Sequence, residues 1–247
     1  MATASTATPD SQPRRLGLVV PPSNPTVEPE TAALMPAGVA LHATRLPLIA
    51  DDLRSRLQAY PAAFEPACRS FGSLAIDAYL LGVTGASYAA GVEGDQALCD
   101  QLARSLGRPV ATASLAIVQA LRALNCRSIT LVSPYPDWLT RQSVAYWQSA
   151  GLQVQRVESL GETFRAYEMS NDEVQVALQG LCQNLGDAVL IAGTGLASLA
   201  AITAEQSRMA APLLSSNLCA AWWATKTLGL PPSAAWRAAA PALAALS

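Results

Sequence analysis

Histidine is almost missing from this chain. His42 is the one imidazole in 247 residues, which excludes any centre built on two histidines and leaves a Ser-His-Asp arrangement a single residue to use. It stands in the alternating run Val39-Ala40-Leu41-His42-Ala43-Thr44-Arg45, which predicts a strand and a structural role for the ring. Cysteine is sparse: Cys68, Cys99, Cys126, Cys182 and Cys219 are odd in number and contain no Cys-x-x-Cys spacing, so neither a zinc site nor a disulfide framework is indicated. Charge is low, 14% of residues with a net charge of −2, and nothing electrostatic invites nucleic acid or an anionic membrane.

Other absences narrow the class further. The uncharged stretch from Ala188 to Ala204 is interrupted by Gly193-Thr194-Gly195 and is short for a bilayer. Met1 to Arg15 is polar, with Thr, Ser and Pro and no apolar centre, and reads as a disordered tail rather than a secretory signal. No Gly-x-x-x-x-Gly-Lys phosphate loop occurs. Val83-Thr84-Gly85-Ala86-Ser87 has the outline of a dinucleotide turn, but Ala89 stands where its middle glycine belongs and no Tyr-x-x-x-Lys follows. The expectation is a cytoplasmic protein with no cofactor, no metal, no nucleic-acid partner and no membrane partner. A homo-oligomer that covers part of the apolar surface is compatible with the low charge.

What the chain does have is a repeat. Apolar residues make up 51% of it, enough for a sizeable core. Ala78-Tyr79-Leu80-Leu81-Gly82-Val83-Thr84-Gly85 returns 110 residues later as Ala188-Val189-Leu190-Ile191-Ala192-Gly193-Thr194-Gly195. Leu18-Val19-Val20-Pro21-Pro22-Ser23 returns as Leu131-Val132-Ser133-Pro134-Tyr135-Pro136, and Pro109 to Leu115 as Pro212 to Leu218. The order is the same in both copies: strand and proline, strand and Thr-Gly, then Pro-strand-Ser and a helix. A duplicated α/β unit explains this.

Strands are predicted near 16–20, 39–45, 76–82, 109–112, 128–132, 153–157, 187–192 and 212–215. Helices are predicted near 26–35, 51–72, 93–106, 114–124, 138–150, 171–184, 197–208, 217–228 and 234–246. The alternation specifies two pseudo-symmetric lobes, each a parallel sheet flanked by helices. The first lobe takes 16–117 plus 222–247, against which the final helix is expected to pack, and the second takes 118–221. Ligands of open α/β sheets sit beyond the carboxyl ends of the strands, so Pro21–Asn24, Val83–Ser87, Pro134–Asp137 and Gly193–Ser198 should line a cleft between the lobes.

The motifs resemble the Asp/Glu racemase superfamily, in the branch of maleate cis-trans isomerases and arylmalonate decarboxylases. The marks are Val20-Pro21-Pro22-Ser23-Asn24-Pro25-Thr26-Val27-Glu28-Pro29-Glu30, the Gly82–Ser87 turn, Ser133-Pro134-Tyr135, the Gly193–Leu196 turn and Ser215-Ser216-Asn217. The resemblance implies cofactor-free chemistry on a small carboxylate. It also implies a cysteine at each repeated turn in isomerases and at the second turn alone in decarboxylases. Those positions are Val83 and Gly193 here, and neither is a thiol. The carboxylate cradle that the resemblance implies falls on Asn24, Thr84, Gly85, Tyr135, Thr194 and Gly195, a set of N–H and O–H donors that stabilises negative charge without a cation.

Decarboxylation asks least of such a site. One carboxylate is held while the other faces an apolar wall, supplied by Val83, and Tyr135 or water delivers the proton. The expected activity is a cofactor-independent lyase, a decarboxylase of a small dicarboxylic or substituted malonic acid. A thiol-free isomerase of a maleate-like diacid and an inactive carboxylate-binding homologue also fit these residues. Cys219, next to Ser215-Ser216-Asn217, is the first replacement for a missing thiol. Glu28, Asp137 and Tyr88 are further titratable groups near the cleft in sequence, the two acids being better read as helix-start carboxylates.

Overall fold

The computed structural model describes residues 12–181 and 184–246. Residues 1–11 and Cys182 lie outside the described residues. Strands β1 (Arg14–Val20), β2 (Val39–Arg45), β3 (Ala78–Leu81) and β4 (Val110–Thr112) form one sheet in the order β2-β1-β3-β4. Strands β5 (Ser128–Ser133), β6 (Gln153–Ser159), β7 (Ala188–Ile191) and β8 (Leu213–Ser215) form a second in the order β6-β5-β7-β8. Every pairing is parallel. The second sheet repeats the first strand for strand, as duplication requires. Two of the central strands, β3 (Ala-Tyr-Leu-Leu) and β7 (Ala-Val-Leu-Ile), are buried along their whole length, because helices cover both faces of a parallel sheet.

The helices are α1 (Val27–Leu34), α2 (Leu53–Arg69), α3 (Gly85–Tyr88), α4 (Gly91–Leu106), α5 (Ala113–Ala123), α6 (Asp137–Ser149), α7 (Asn171–Gln179), α8 (Leu199–Glu205), α9 (Ser216–Thr227), α10 (Ala234–Ala239) and α11 (Pro241–Ala244). The repeated Pro-strand-Ser motif acquires a physical reason at α5 and α9. Thr112 Oγ1 accepts from the Leu115 N–H at 3.0 Å, and Ser215 Oγ accepts from the Leu218 N–H at 3.2 Å. Each hydroxyl caps the helix that follows its strand. Helices α5 and α9 then pack on each other, and α9 also reaches α1 and β3.

Three details depart from the sequence expectation. Strand β1 begins at Arg14, inside the segment read as a tail, since Arg14 and Arg15 pair with Val39 and Ala40 and the Arg15 N–H donates to Asp77 at 2.8 Å. The single turn of α3 was not expected. The predicted 234–246 helix is two pieces, because Pro241 has no N–H to continue α10 and instead opens α11; α10 lies against both α1 and α8. No helix among the described residues is long and apolar enough to cross a membrane.

A buried acid joins the two halves behind the strand ends. Asp95 of α4 accepts from Thr112 Oγ1 and from the Tyr146 hydroxyl of α6, both at 2.7 Å. Burial raises its pKa above the usual carboxylate range, outweighing the hydrogen bonds from Tyr146 and Thr112 that lower it. A folded pKa above the unfolded one means that the contribution of Asp95 is full below its unfolded value and is lost as pH rises through its folded value. Asp95→Asn removes that loss. The urea midpoint of the variant, relative to wild type, should therefore improve as pH rises above the ordinary carboxylate range, and a difference that stays constant with pH would mean that Asp95 is not protonated in the folded protein above that range.

Candidate active site

The four turns predicted to converge do so. Pro21, Pro22, Ser23 and Asn24 after β1, Val83, Thr84 and Gly85 after β3, Tyr135 after β5, and Gly193, Thr194 and Gly195 after β7 line one pocket. Its cavity is about 60 Å³, several times the ~10–15 Å³ that one water needs. That size suits a small acid rather than a dinucleotide. Leu53 and Leu57 of α2, Leu139 of α6, Phe164 and Ala166 join Val83 as an apolar wall. Among the described residues no cysteine contributes to the lining, and no cluster of three His, Cys, Asp or Glu side chains is placed to hold a metal ion.

The polar groups of the pocket are tied to one another across the two halves. Asn24 Oδ1 accepts from the Thr26 and Val27 N–H groups at 2.9 and 3.0 Å, which fixes the amide so that Nδ2 donates to Thr194 Oγ1 at 3.1 Å. Thr194 Oγ1 in turn donates to the Gly82 carbonyl at 2.8 Å. A hydroxyl has one proton, so the Thr194 side chain has none left for a substrate. The second N–H of Asn24 remains. Thr84 Oγ1 and the Tyr135 hydroxyl share one hydrogen bond of 2.7 Å, which leaves one proton of the two to point elsewhere. The backbone N–H groups of Thr84, Gly85, Thr194 and Gly195 meet no acceptor among the described residues. Unpaired N–H groups around a buried cavity are the kind of donor from which anion sites are built.

Tyr135 is held rigidly. Its ring stacks on Phe164 with centroids 6.4 Å apart at 9°, and Tyr88 meets it edge-on at 6.1 Å. Burial pushes the Tyr135 phenol above its ordinary range, so it is protonated at neutral pH. Gly193 lies beside it in the left-handed region, at φ +91°. A Cβ built there would stand 3.0 Å from Pro134 Cγ and 3.3 Å from the Tyr135 hydroxyl. The phenol thus occupies the space into which a side chain at 193 would grow. Gly195 is needed for a different reason, since the Tyr167 ring lies where its Cβ would be.

Other sequence candidates fall elsewhere. Cys219 is fully buried in α9 and, like Cys68, Cys99 and Cys126, is a free thiol away from the pocket. Burial raises all four thiol pKa values, those of Cys68 and Cys99 to about 12 and that of Cys126 to about 11. Glu28 pairs with Arg45 and Asp137 with Arg141, and both acids are first-turn residues of their helices. Tyr88 is buried behind Tyr135, and His42 sits in β2 as expected. Two charged residues escaped the sequence reading, as did the pocket-lining rings of Tyr60, Phe164 and Tyr167. Glu30 reaches from α1 to accept from the Ser198 and Leu199 N–H groups, each at 2.7 Å, and from Asn217 Nδ2 at 2.7 Å; Asn217 also holds the Thr194 carbonyl at 3.0 Å. Glu30 therefore braces the second turn from the first half. The other is Arg56 of α2, a cation in the lining of a site expected to do without one.

Residues 16–239 match the family model described as arylmalonate decarboxylase. The chain belongs to the arylmalonate decarboxylase family. It is 28% identical over 227 residues to the arylmalonate decarboxylase of Bordetella bronchiseptica, covering 87% of this chain and 90% of the relative. It is 27% identical over 230 residues to the maleate isomerase of Nocardia farcinica (strain IFM 10152), covering 88% and 91%. Both relatives are enzymes. The solved maleate isomerase Iso from Pseudomonas putida S16 superposes with a TM-score of 0.85 at 20% identity, covering 95% of this chain and 99% of that one. The Nocardia farcinica maleate cis-trans isomerase, solved as a cysteine-to-serine variant with a covalently bound succinylcysteine intermediate, gives 0.83 at 24% identity and covers 94% and 98%. These superpositions establish the two-sheet fold.

The backbone at Gly193 generates a direct test. Gly193→Ala combines left-handed strain with contacts to Pro134 and Tyr135, whereas Gly229, at φ +69°, has open space around its Cβ position. Gly229→Ala should lower unfolding free energy by about 1 kcal/mol and Gly193→Ala by about 2–3 kcal/mol. Urea unfolding of the two variants checks the difference, and equal losses would remove the crowding argument.

Proposed function

We propose that the pocket catalyses cofactor-free decarboxylation of a small substituted malonic acid, with Tyr135 as the proton donor. The observation that carries this reading is the Thr84–Tyr135 pair beside Gly193. One unshared proton, on a buried phenol or relayed through it, stands where a side chain at 193 would reach. In the Nocardia farcinica isomerase a succinylcysteine intermediate records a reacting thiol. Here the lining among the described residues is thiol-free, and the phenol takes the thiol's place as acid.

The steps follow from the donors available. The retained carboxylate lies among the N–H groups of Thr84, Gly85, Thr194 and Gly195 and the free Asn24 N–H. The other carboxylate faces Val83 and Leu57, where its charge is poorly solvated. Its C–C bond breaks, carbon dioxide leaves, and the electron pair passes into the retained carboxylate as an enediolate that the cradle stabilises. The α-carbon then takes the proton of the Thr84–Tyr135 pair, and solvent restores it. A phenol of raised pKa is a weak acid, but an enediolate carbon is a much stronger base, so the transfer runs downhill.

Isomerisation of a maleate-like diacid with Tyr135 as acid is the second reading, and the 27% identity to the Nocardia farcinica maleate isomerase favours it over a pocket that binds carboxylates without turnover. Product analysis separates the two reactions: monoacid and carbon dioxide from substituted malonates, or fumarate from maleate. The expected result in D₂O is a monoacid with one deuterium at the α-carbon. Tyr135→Phe should lower kcat by about 10²–10⁴-fold, and iodoacetamide should leave kcat intact because the described thiols are buried and their pKa values raised. Full activity of Tyr135→Phe, or inactivation by the alkylating agent, would sink the assignment of the proton to this pair.

A further inference from the structure

One wall of the pocket carries a charge that nothing among the described residues balances. Arg56 lies in the first turn of α2, half-buried, with its side chain in the lining. Among the described residues no carboxylate oxygen lies within 4.0 Å of its guanidinium and no group accepts a hydrogen bond from it. Other arginines have a carboxylate beside them: Arg45 has Glu28, Arg69 has Glu65 and Arg156 has Glu158. Arg56 is flanked by two phenols that also line the pocket, Tyr60 one helical turn on and Tyr167 from the segment before α7. Neither hydroxyl has a hydrogen-bond partner among the described residues. Burial raises both phenol pKa values, that of Tyr167 to about 12, against an opposing pull from the Arg56 charge. At neutral pH the three groups face the cavity as a cation and two hydroxyl donors. A half-buried guanidinium without a counter-ion has given up hydration that a bound anion restores, most effectively when further donors share the anion's oxygens.

This set lies against the cradle. The Tyr167 ring rests on Gly195, in the space its Cβ would need, so the two groups of donors belong to one cavity. We infer that Arg56, with Tyr60 and Tyr167, forms a second anion subsite, and that the substrate is a malonic acid whose substituent itself ends in a carboxylate. This rests on the decarboxylase reading above. The carboxylate at Arg56 is not the one that leaves: a guanidinium stabilises the ionised group, and carbon dioxide departs most readily from a carboxylate facing an apolar wall. For propane-1,1,3-tricarboxylate, the simplest probe with a two-carbon spacer, the bond between C1 and one of its carboxylates breaks. The electron pair passes into the other C1 carboxylate as an enediolate, C1 then takes a proton, and glutarate forms with its distal carboxylate untouched. A diacid product in this pocket is thus held at both ends, whereas a monoacid of the same length is held at one.

The experiment compares glutarate with pentanoate by calorimetry, and propane-1,1,3-tricarboxylate with propylmalonate by carbon dioxide release, for wild type, Arg56→Lys and Arg56→Gln. Wild type should bind glutarate about tenfold or more tightly than pentanoate and should favour the tricarboxylate in kcat/KM by a similar factor. Arg56→Gln should bring both ratios to about one, and Arg56→Lys should keep part of them because a point charge survives without the guanidinium fork. Unchanged ratios in Arg56→Gln, or a wild type that prefers pentanoate, would overturn the subsite. If malonates are decarboxylated while the ratios ignore position 56, the subsite fails and the decarboxylase reading stands. If glutarate preference depends on Arg56 but no malonate loses carbon dioxide, the subsite stands and the decarboxylase reading fails.

Discussion

One hydroxyl holds the pocket in shape. Thr194 Oγ1 donates to the carbonyl of Gly82 and accepts from Asn24, so a single side chain after β7 binds the end of β3 and the loop after β1. Around it run the Thr26 hydroxyl to the Gly195 carbonyl and the Glu30 carboxylate to the Ser198 and Leu199 N–H groups. These bonds join residues far apart in the chain and bring the ends of two separate sheets together. Because they lie in a buried setting, each depends on the others for polarisation and geometry, and losing one leaves its partners unsatisfied. Thr84, Gly85, Thr194 and Gly195 line the cavity together because their neighbours are fixed in this way.

The two halves repeat in topology and differ in chemistry. Both sheets have the same strand order and both have a capped helix after the fourth strand. At the equivalent turns, one half presents Val83 and the other a glycine with a tyrosine folded into the space beside it. Symmetry of the scaffold supplies N–H groups from both sides, while the side chains differ, with a phenol beside one turn and a valine at the other. Arg56 adds a further asymmetry, since it comes from α2.

Much of this fold is legible in the sequence, for physical reasons. A parallel strand buried on both faces must be a short apolar run, and proline or glycine marks where it ends; Ala78–Leu81 and Ala188–Ile191 could hardly be anything else. The strand ends then put Asn24, Thr84, Tyr135 and Thr194 in one place. What the sequence hid was the use of each group. Thr194 reads as a donor to substrate until its proton is found on Gly82. Arg56 sits among polar residues at the start of an amphipathic helix, and no local pattern shows that this turn faces a cavity shared with Tyr167, far along the chain. Glu30 lies within a motif but acquires its role only from Ser198, Leu199 and Asn217. Four residues of α3 are too few to show a period, and Pro241 divided a helix that alanine content alone would have run together.

Gly193 ties its own identity to that of its neighbours. Its backbone lies at φ +91°, with Pro134 and Tyr135 close to the place a side chain would take. A single substitution that puts any side chain at 193 meets strain and two close neighbours at once, whatever chemistry it brings. Positions 134, 135 and 193 are therefore one packing unit: a larger residue at 193 costs least stability when smaller ones stand at the other two.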